Sequence, residues 1–224
     1  MRSTTTRLLL LGAVGLFEPV NGYQIRRELI SWQADKWANI NPGSIYHGLN
    51  SLAGDGLLAR YDLTDGSREV AVYELTETGR TELDRLIADA ILTVDVFDRR
   101  DFQAAFGLLP MLDAERGREL LAERHRRFAV ALADHPTTAR SEDYPYAPPH
   151  ALRIMELTAQ SARTEYDWLT AVLDDLRHGR LALDPGTSWA PPADDPGHEM
   201  TADRRRYRES ISGRAAARVP PTSE

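Results

Sequence analysis

The segment from Asn41 to Leu52 constrains the fold more than any other part of this chain. It reads Asn-Pro-Gly-Ser-Ile-Tyr-His-Gly-Leu-Asn-Ser-Leu, in which Asn41 suits a helix N-cap and Pro42 suits the first helical position. Its larger apolar residues recur at the i, i+4, i+7 spacing of a buried helical face, at Ile45, Leu49 and Leu52. The pattern therefore predicts a short amphipathic helix.

The outer face of this predicted helix is rich in small and hydrogen-bonding side chains: Gly43, Ser44, Tyr46, His47, Asn50 and Ser51. Free N–H groups and the helix dipole favour a phosphate at a helix N-terminus. Side chains of these types can also reach base edges in a DNA major groove. The alternative interpretation is an ordinary solvated surface, and the helix by itself does not decide between the two.

The neighbouring segments place this helix in a recognisable plan. Apolar periodicity predicts two helices before it, Arg7 to Leu16 and Asn21 to Ile30. Two strands are predicted after it, Leu57 to Tyr61 and Val70 to Leu75, joined by a loop whose Asp65-Gly66 pair tolerates a tight hairpin turn. Three helices followed by a hairpin form a winged helix-turn-helix, so the chain is predicted to be mainly α with a small β-hairpin wing.

Four motifs in the first third of the chain carry a resemblance to a known family. In order they are Gly22-Tyr23-Gln24-Ile25, Pro42-Gly43-Ser44-Ile45-Tyr46 with Leu49 and Leu52, Gly56-Leu57-Leu58, and Tyr73-Glu74-Leu75-Thr76-Glu77-Thr78-Gly79. In this order and spacing they resemble the PadR-like transcriptional regulators. The resemblance implies DNA binding, a helical C-terminal dimerisation domain, and relatives that bind aromatic or lipophilic small molecules. One departure is the acidic and apolar stretch Glu69-Val70-Ala71, where relatives often carry basic residues.

The charge of the chain limits how it could bind DNA. The formal net charge is -7, and residues 1–80 contain eight Lys or Arg against nine Asp or Glu. Affinity for DNA rests largely on cations that neutralise phosphates, although a local basic face can act beside acidic surface elsewhere. We expect Arg26, Arg27 and Arg68 to supply phosphate contacts, with binding relying on a dimer and on directed contacts.

Catalysis and metal binding are not predicted. The chain has no cysteine, which removes disulfides, thiolate zinc sites and thiol nucleophiles. Its six histidines form no pair at metal-binding spacing. Ser44 and His47 lack the orienting group and oxyanion hole that a nucleophilic site requires. We therefore expect neither a metal nor a cofactor.

The N-terminus imitates a secretory signal, because Arg2 and Arg7 accompany the apolar run Leu8 to Phe17. Glu18-Pro19 follows the run in place of a small-residue cleavage site. Removal of the apolar run as a signal peptide would delete the first predicted helix. A core helix and a cytoplasmic location are therefore expected.

The remainder of the chain is predicted to be helical and then unstructured. The proposed domains are a winged helix-turn-helix over 1–80, an α-helical dimerisation domain over 81–183, and a disordered tail over 184–224. A long helix from His150 to about Arg177 is the expected dimer element. The resemblance implies that Trp168 on this helix contacts an effector, whereas a tryptophan is more often simply a core residue. In the tail, Arg204-Arg205-Arg206-Tyr207-Arg208 is either a flexible basic arm or a solvated charge run.

Together these features predict a cytoplasmic, homodimeric, sequence-specific DNA-binding regulator, most simply a repressor released by a small-molecule effector and bound to an inverted-repeat operator. The competing hypothesis is a winged-helix protein-interaction module that lacks DNA affinity, since winged helices serve several functions.

Overall fold

The computed structural model describes residues 4–66, 68–133, 142–183, 194–195 and 197–217. The chain divides into two compact units. The first extends to Arg85 and also includes the C-terminal helix, and the second begins at Leu86. Within the predicted tail, residues 184–193, 196 and 218–224 lie outside the described residues.

The first unit contains a three-stranded antiparallel sheet surrounded by helices. Its elements are α1 (Thr4–Phe17), β1 (Val20–Asn21), α2 (Gly22–Ser31), α3 (Ala34–Trp37), α4 (Pro42–Gly54), β2 (Leu58–Asp65) and β3 (Arg68–Leu75). The strand order is β1-β3-β2, and the β2–β3 hairpin pairs Leu58 with Leu75 at its base and Asp65 with Arg68 at its tip. The winged helix-turn-helix prediction is confirmed, with the short elements β1 and α3 as additions.

Helix α1 forms the centre of this unit. Leu8 to Leu11, Ala13 and Val14 are all buried, so the run that imitates a signal peptide is a core helix. Among the described residues, no helix is both long and apolar enough to cross a membrane.

The two faces of the hairpin have different surroundings, because side chains alternate along a strand. Arg60, Asp62 and Tyr73 share the face next to α4, and Arg60 and Tyr73 contact Asn50 there. On the opposite face, Leu63 and Val72 form a buried cluster. We call this second surface the back face of the wing; it also includes Tyr61 and Val70.

Contacts at the base of the hairpin explain the motif Thr76-Glu77-Thr78-Gly79, which follows the wing. Helix α5 (Glu77–Leu92) begins after Thr76, whose hydroxyl accepts from the Gly79 N–H at 2.9 Å and donates to the Gly56 carbonyl at 2.8 Å. A Cβ on Gly79 would lie 2.0 Å from the Leu57 carbonyl oxygen. Only glycine therefore allows the start of α5 to approach the base of the hairpin so closely.

The second unit is helical. After α5 it contains α6 (Arg100–Leu108), a short 3-10 turn (Leu109–Met111), α7 (Ala114–Ala133) and α8 (Pro149–Arg177). Helix α5 ends at Leu92, and the Asp95 carboxylate then accepts from the N–H groups of Phe97 and Asp98 in a turn.

The predicted disorder of the tail is wrong for residues 197–217, which form helix α9 (Gly197–Ala217). The helix packs on the first unit through Met200, Tyr207 and Ile211. Over the part of the helix whose side chains are described, these three apolar residues mark the packed face. Such a sparse stripe does not stand out as helical periodicity.

Candidate nucleic-acid interface

Helix α4 presents the faces that its sequence predicts. Ile45, Gly48, Leu49 and Leu52 are buried. Ser44 and Ser51 are half-buried, and the exposed residues are Gly43, Tyr46, His47, Asn50 and Gly54, together with Asn41 and Pro42 at the start. Packing of the apolar inner face therefore determines which polar side chains of α4 face solvent.

The first turn of α4 is closed by its own cap. The Ser44 N–H donates to the Asn41 side chain at 2.9 Å, while the Ser44 hydroxyl donates to the Asn41 carbonyl at 2.7 Å and accepts from the Asn41 N–H at 3.2 Å. Pro42 has no N–H. Of the first three helical residues, Gly43 is thus the one left to offer an N–H to a phosphate. The structure places Ser44 in the capping box, where its hydroxyl positions the helix end.

Asn50 joins α4 to the wing. Its side-chain oxygen accepts from Arg60 Nη1 at 3.0 Å and from the Tyr73 hydroxyl at 3.1 Å. Burial raises the pKa of Tyr73, so its hydroxyl keeps the proton that it donates. The hydrogen bond that Arg60 donates to the Asp62 carboxylate raises the pKa of Arg60. Arginine has no acceptor, so the oxygen of the amide must face Arg60. Asn50 is therefore left with its NH₂ group to offer to a ligand.

A groove of about 380 Å³ runs between the start of α2, α4 and β3. Three tyrosines line it: Tyr23, which is 62% exposed, Tyr46, which is 44% exposed, and the buried Tyr73. Arg68 stands at its wing end. The Tyr46 ring lies against Gly22, where an added Cβ would come within 2.8 Å of it. Gly22 thus gives Tyr46 its place beside α2, and Tyr46 both packs and faces solvent.

The predicted cations of α2 are less accessible than Arg68. Arg27 pairs with Glu28 at 3.1 Å and contacts the sulfur of Met200 on α9. Arg26 is half-buried, and its Nε has no hydrogen-bond partner among the described residues. A phosphate contact from Arg27 would require the pair with Glu28 to open.

Sequence reasoning missed three residues of this surface: Tyr23, Arg60 and Tyr73. Arg60 and Tyr73 lie directly opposite each other in the hairpin. The sequence could have predicted this pairing only if both strands had been given their full lengths. Tyr23 stands in a recognised motif but carries no helical-face signal of its own.

The second unit contains an aromatic groove of about 370 Å³ around Trp168. Trp168 lies 5.0 Å from Phe106 and 6.1 Å from Phe102 between ring centroids, both edge to face. The remaining lining residues are Arg99, Gln103, Thr164 and Glu165. Trp168 is thus one wall of an open, flat-sided groove.

A buried ion pair forms the floor behind this groove. Arg124 is 0% exposed, and its guanidinium donates to Glu165 Oε1 at 2.7 Å. The same group donates to the carbonyls of Ile91 and Thr93. It also lies 3.7 Å from the centroid of the Phe102 ring. Burial lowers the pKa of Arg124, but the Glu165 carboxylate opposes that shift and the group stays charged. The pair joins α5, α7 and α8 at one point.

Comparison with known proteins agrees with this architecture. The sequence model of the transcriptional regulator PadR-like family matches residues 10–85, the segment that carries the winged helix-turn-helix. This segment is about a third of the chain, and through it the chain is similar to the PadR-like transcriptional regulators. No curated protein matches the chain significantly.

Several solved structures match much of the chain at low identity. Bacillus subtilis PadR bound to operator DNA is 19% identical, with 76% of this chain and 98% of that chain covered and a TM-score of 0.31. A PadR-like regulator from Bacillus cereus is 17% identical, with 78% and 97% covered and a TM-score of 0.34. The complex of B. subtilis PadR with p-coumaric acid is 18% identical, with 76% and 99% covered and a TM-score of 0.28. TM-scores this low do not superpose whole chains, and the similarity to the family rests on residues 10–85.

Proposed function

We propose that the protein is a cytoplasmic, homodimeric repressor that binds an inverted-repeat operator and is released by a small-molecule effector. The observation that carries the proposal is the outer face of α4. Its polar residues are exposed, its first turn is capped, and its Asn50 is tied to the wing through Arg60 and Tyr73. A helix so fixed can enter a major groove without first becoming ordered.

The residues of this face divide into two roles. Tyr46, His47 and Asn50 are the candidates for base edges, with Asn50 acting as a donor toward groups such as guanine O6 and N7 or thymine O4. Arg68, with Gly43 and the less accessible Arg26 and Arg27, serves phosphates, which fix position but carry no sequence information. Ser44 supports the helix end through its cap.

The dimer is proposed to form through α8. Its Leu169, Val172 and Leu176 are buried within the unit, whereas Ile154 and Leu157 are 62% and 64% exposed. Large apolar side chains exposed along one helix are typical of an interface. Two α4 helices held by such a dimer would meet major-groove faces roughly 34 Å apart, which gives half-sites one helical turn or a multiple of it apart.

The effector is proposed to bind the groove around Trp168. Flat rings could lie against Phe102, Phe106 and Trp168, which suits an aromatic or lipophilic molecule. Release of DNA then requires that the ligand bind one arrangement of the dimer better than the other. Quenching of tryptophan fluorescence by an aromatic acid, lost in Trp168→Phe, tests this site.

DNA binding by the full chain tests the proposal against the protein-interaction alternative, which the near-neutral charge of residues 1–80 favours. Fluorescence anisotropy is measured with the DNA upstream of the protein's own gene and with a shuffled fragment of equal composition. A regulator should prefer the first by roughly 10³-fold or more at fixed salt. Equal, weak binding of both fragments would instead support the interaction module.

A further inference from the structure

The C-terminal helix α9 covers the back face of the wing. Tyr207 is 3% exposed and completes a buried cluster with Leu63 of β2 and Val72 of β3, with Ile211 packed beside it. This face is opposite the one on which Arg60 and Tyr73 meet Asn50, because the residues alternate along both strands. The hairpin is thus held from both sides, by α4 on one face and by α9 on the other.

Polar contacts fix α9 at a defined position along α2. The Tyr207 hydroxyl accepts from Asn21 Nδ2 at 3.0 Å, and Asp203 accepts from Gln24 Nε2 at 2.8 Å. Asn21 is the N-cap of α2, and Gln24 completes that capping box. The same two residues that cap α2 therefore bind α9, which joins the start of α2 to the wing.

The basic run of α9 is part of this attachment. Arg204 Nε and Arg208 Nη2 donate to the Glu18 carbonyl at 3.2 and 3.3 Å, and burial lowers the pKa of Arg204. Glu18 in turn accepts from the Leu75 N–H at 2.7 Å, at the end of β3. The exposed Arg205 and Arg206 fit the interpretation as a solvated charge run, and Arg206 pairs with Asp203 at 2.6 Å. The flexible arm is wrong, because the run is helical and its Arg204 is half-buried.

We propose that α9 is a working part of the DNA-binding unit: it holds the wing in the position from which Arg68 contacts DNA. The DNA half of this inference rests on the proposed function. Two-stranded hairpins are marginal alone and need packing on a face to be stable. Tyr207 is thus a positioning residue that acts through the wing, and α9 lies outside the segment that the family model matches.

Hydrogen exchange of the full chain tests the docking directly. Tyr207→Ala should increase amide exchange over β2 and β3 while α4 and the second unit keep their protection. Tyr207→Phe keeps the ring and loses the hydrogen bond to Asn21. Its amide exchange over β2 and β3 should therefore lie between those of the wild type and Tyr207→Ala. The matched control is Tyr146→Ala, which removes an exposed tyrosine of the second unit and should change nothing in the wing. Unchanged exchange of the hairpin in Tyr207→Ala would overturn the proposal; should that variant fail to fold, Ile211→Ala provides the same comparison.

A double-mutant cycle separates positioning from general destabilisation. Arg68→Ala should weaken operator binding about tenfold in the wild-type background but less than about twofold beside Tyr207→Ala, since the loosened wing no longer places Arg68. Full additivity of the two substitutions would show that α9 does not act through the wing and would overturn this half of the inference. If the wild-type chain binds no DNA, the proposed function fails, and the exchange measurement alone decides whether α9 holds the hairpin.

Discussion

Asn50→Asp is the sharpest test of how α4 reads DNA. An aspartate has nearly the shape of asparagine and keeps an acceptor for Arg60 and Tyr73, whose donor atoms lie 3.0 and 3.1 Å from the Asn50 oxygen. Because the Arg60 side chain is exposed, we expect the free energy of unfolding to change by less than about 1 kcal/mol. The fold and the link to the wing should survive the substitution.

DNA affinity should fall much further. The substitution removes the NH₂ donors, worth roughly 1 to 3 kcal/mol at a base edge. It also adds a negative charge facing the DNA, which costs about 0.6 kcal/mol for each phosphate at about 7 Å in the dielectric of water. Together these effects amount to roughly 2 to 4 kcal/mol, or about 30- to 1,000-fold in the dissociation constant.

Fluorescence anisotropy at fixed salt measures this loss, with thermal unfolding as the check on the fold. Asn50→Ala removes the donors without adding charge, so it should lose less affinity than Asn50→Asp. Gln160→Glu makes the same change of charge on an exposed residue of α8 and should bind within about twofold of wild type. Wild-type affinity in Asn50→Asp, or an equal loss in Gln160→Glu, would refute the role assigned to Asn50.

Three further outcomes follow from the same contacts. Arg68→Ala should weaken binding to operator and random DNA alike and make the log-log salt slope shallower by about one unit, and a changed base preference with an unaltered slope would contradict a phosphate contact. Leu157→Asp should shift the protein toward monomer in sedimentation velocity without loss of helix signal, whereas an unchanged dimer would remove α8 from the interface. Arg124→Met alone should lower the free energy of unfolding by roughly 3 to 5 kcal/mol in urea titrations, because Glu165 is left buried and unpaired. Combining Arg124→Met with Glu165→Leu should recover much of that loss. Equal losses in the single and double variants would show that the pair does not act as a unit.

The sequence predicted the DNA-binding unit well because its signals are local. Caps, breaks and apolar spacing lie within a few residues of the helices they define, so Asn41, Pro42 and the stripe from Ile45 to Leu52 were enough for α4. The strands were predicted too short, because Asp62, Thr64 and Glu69 read as loop composition but pair within the hairpin.

What the sequence did not predict depends on contacts between distant segments. The Asn50, Arg60 and Tyr73 network requires the hairpin register, and the Tyr207 anchor requires a partner 186 residues away, at Asn21. Among the described side chains of helix α9, the packed apolar residues are Met200, Tyr207 and Ile211, so its order comes from docking more than from local periodicity. Helix α8 was predicted as the dimer element, but its Leu169, Val172 and Leu176 are buried within the unit, which requires contacts with other helices.

Hydroxyl-radical footprinting of the operator most directly tests the central claim, that α4 of each protomer reads DNA. The wild-type protein should protect two patches on one face of the duplex, separated by about 10 base pairs or a multiple of it. Asn50→Asp should abolish both patches at the same protein concentration. Protection that is absent from the wild type, or that persists unchanged in Asn50→Asp, would contradict the account.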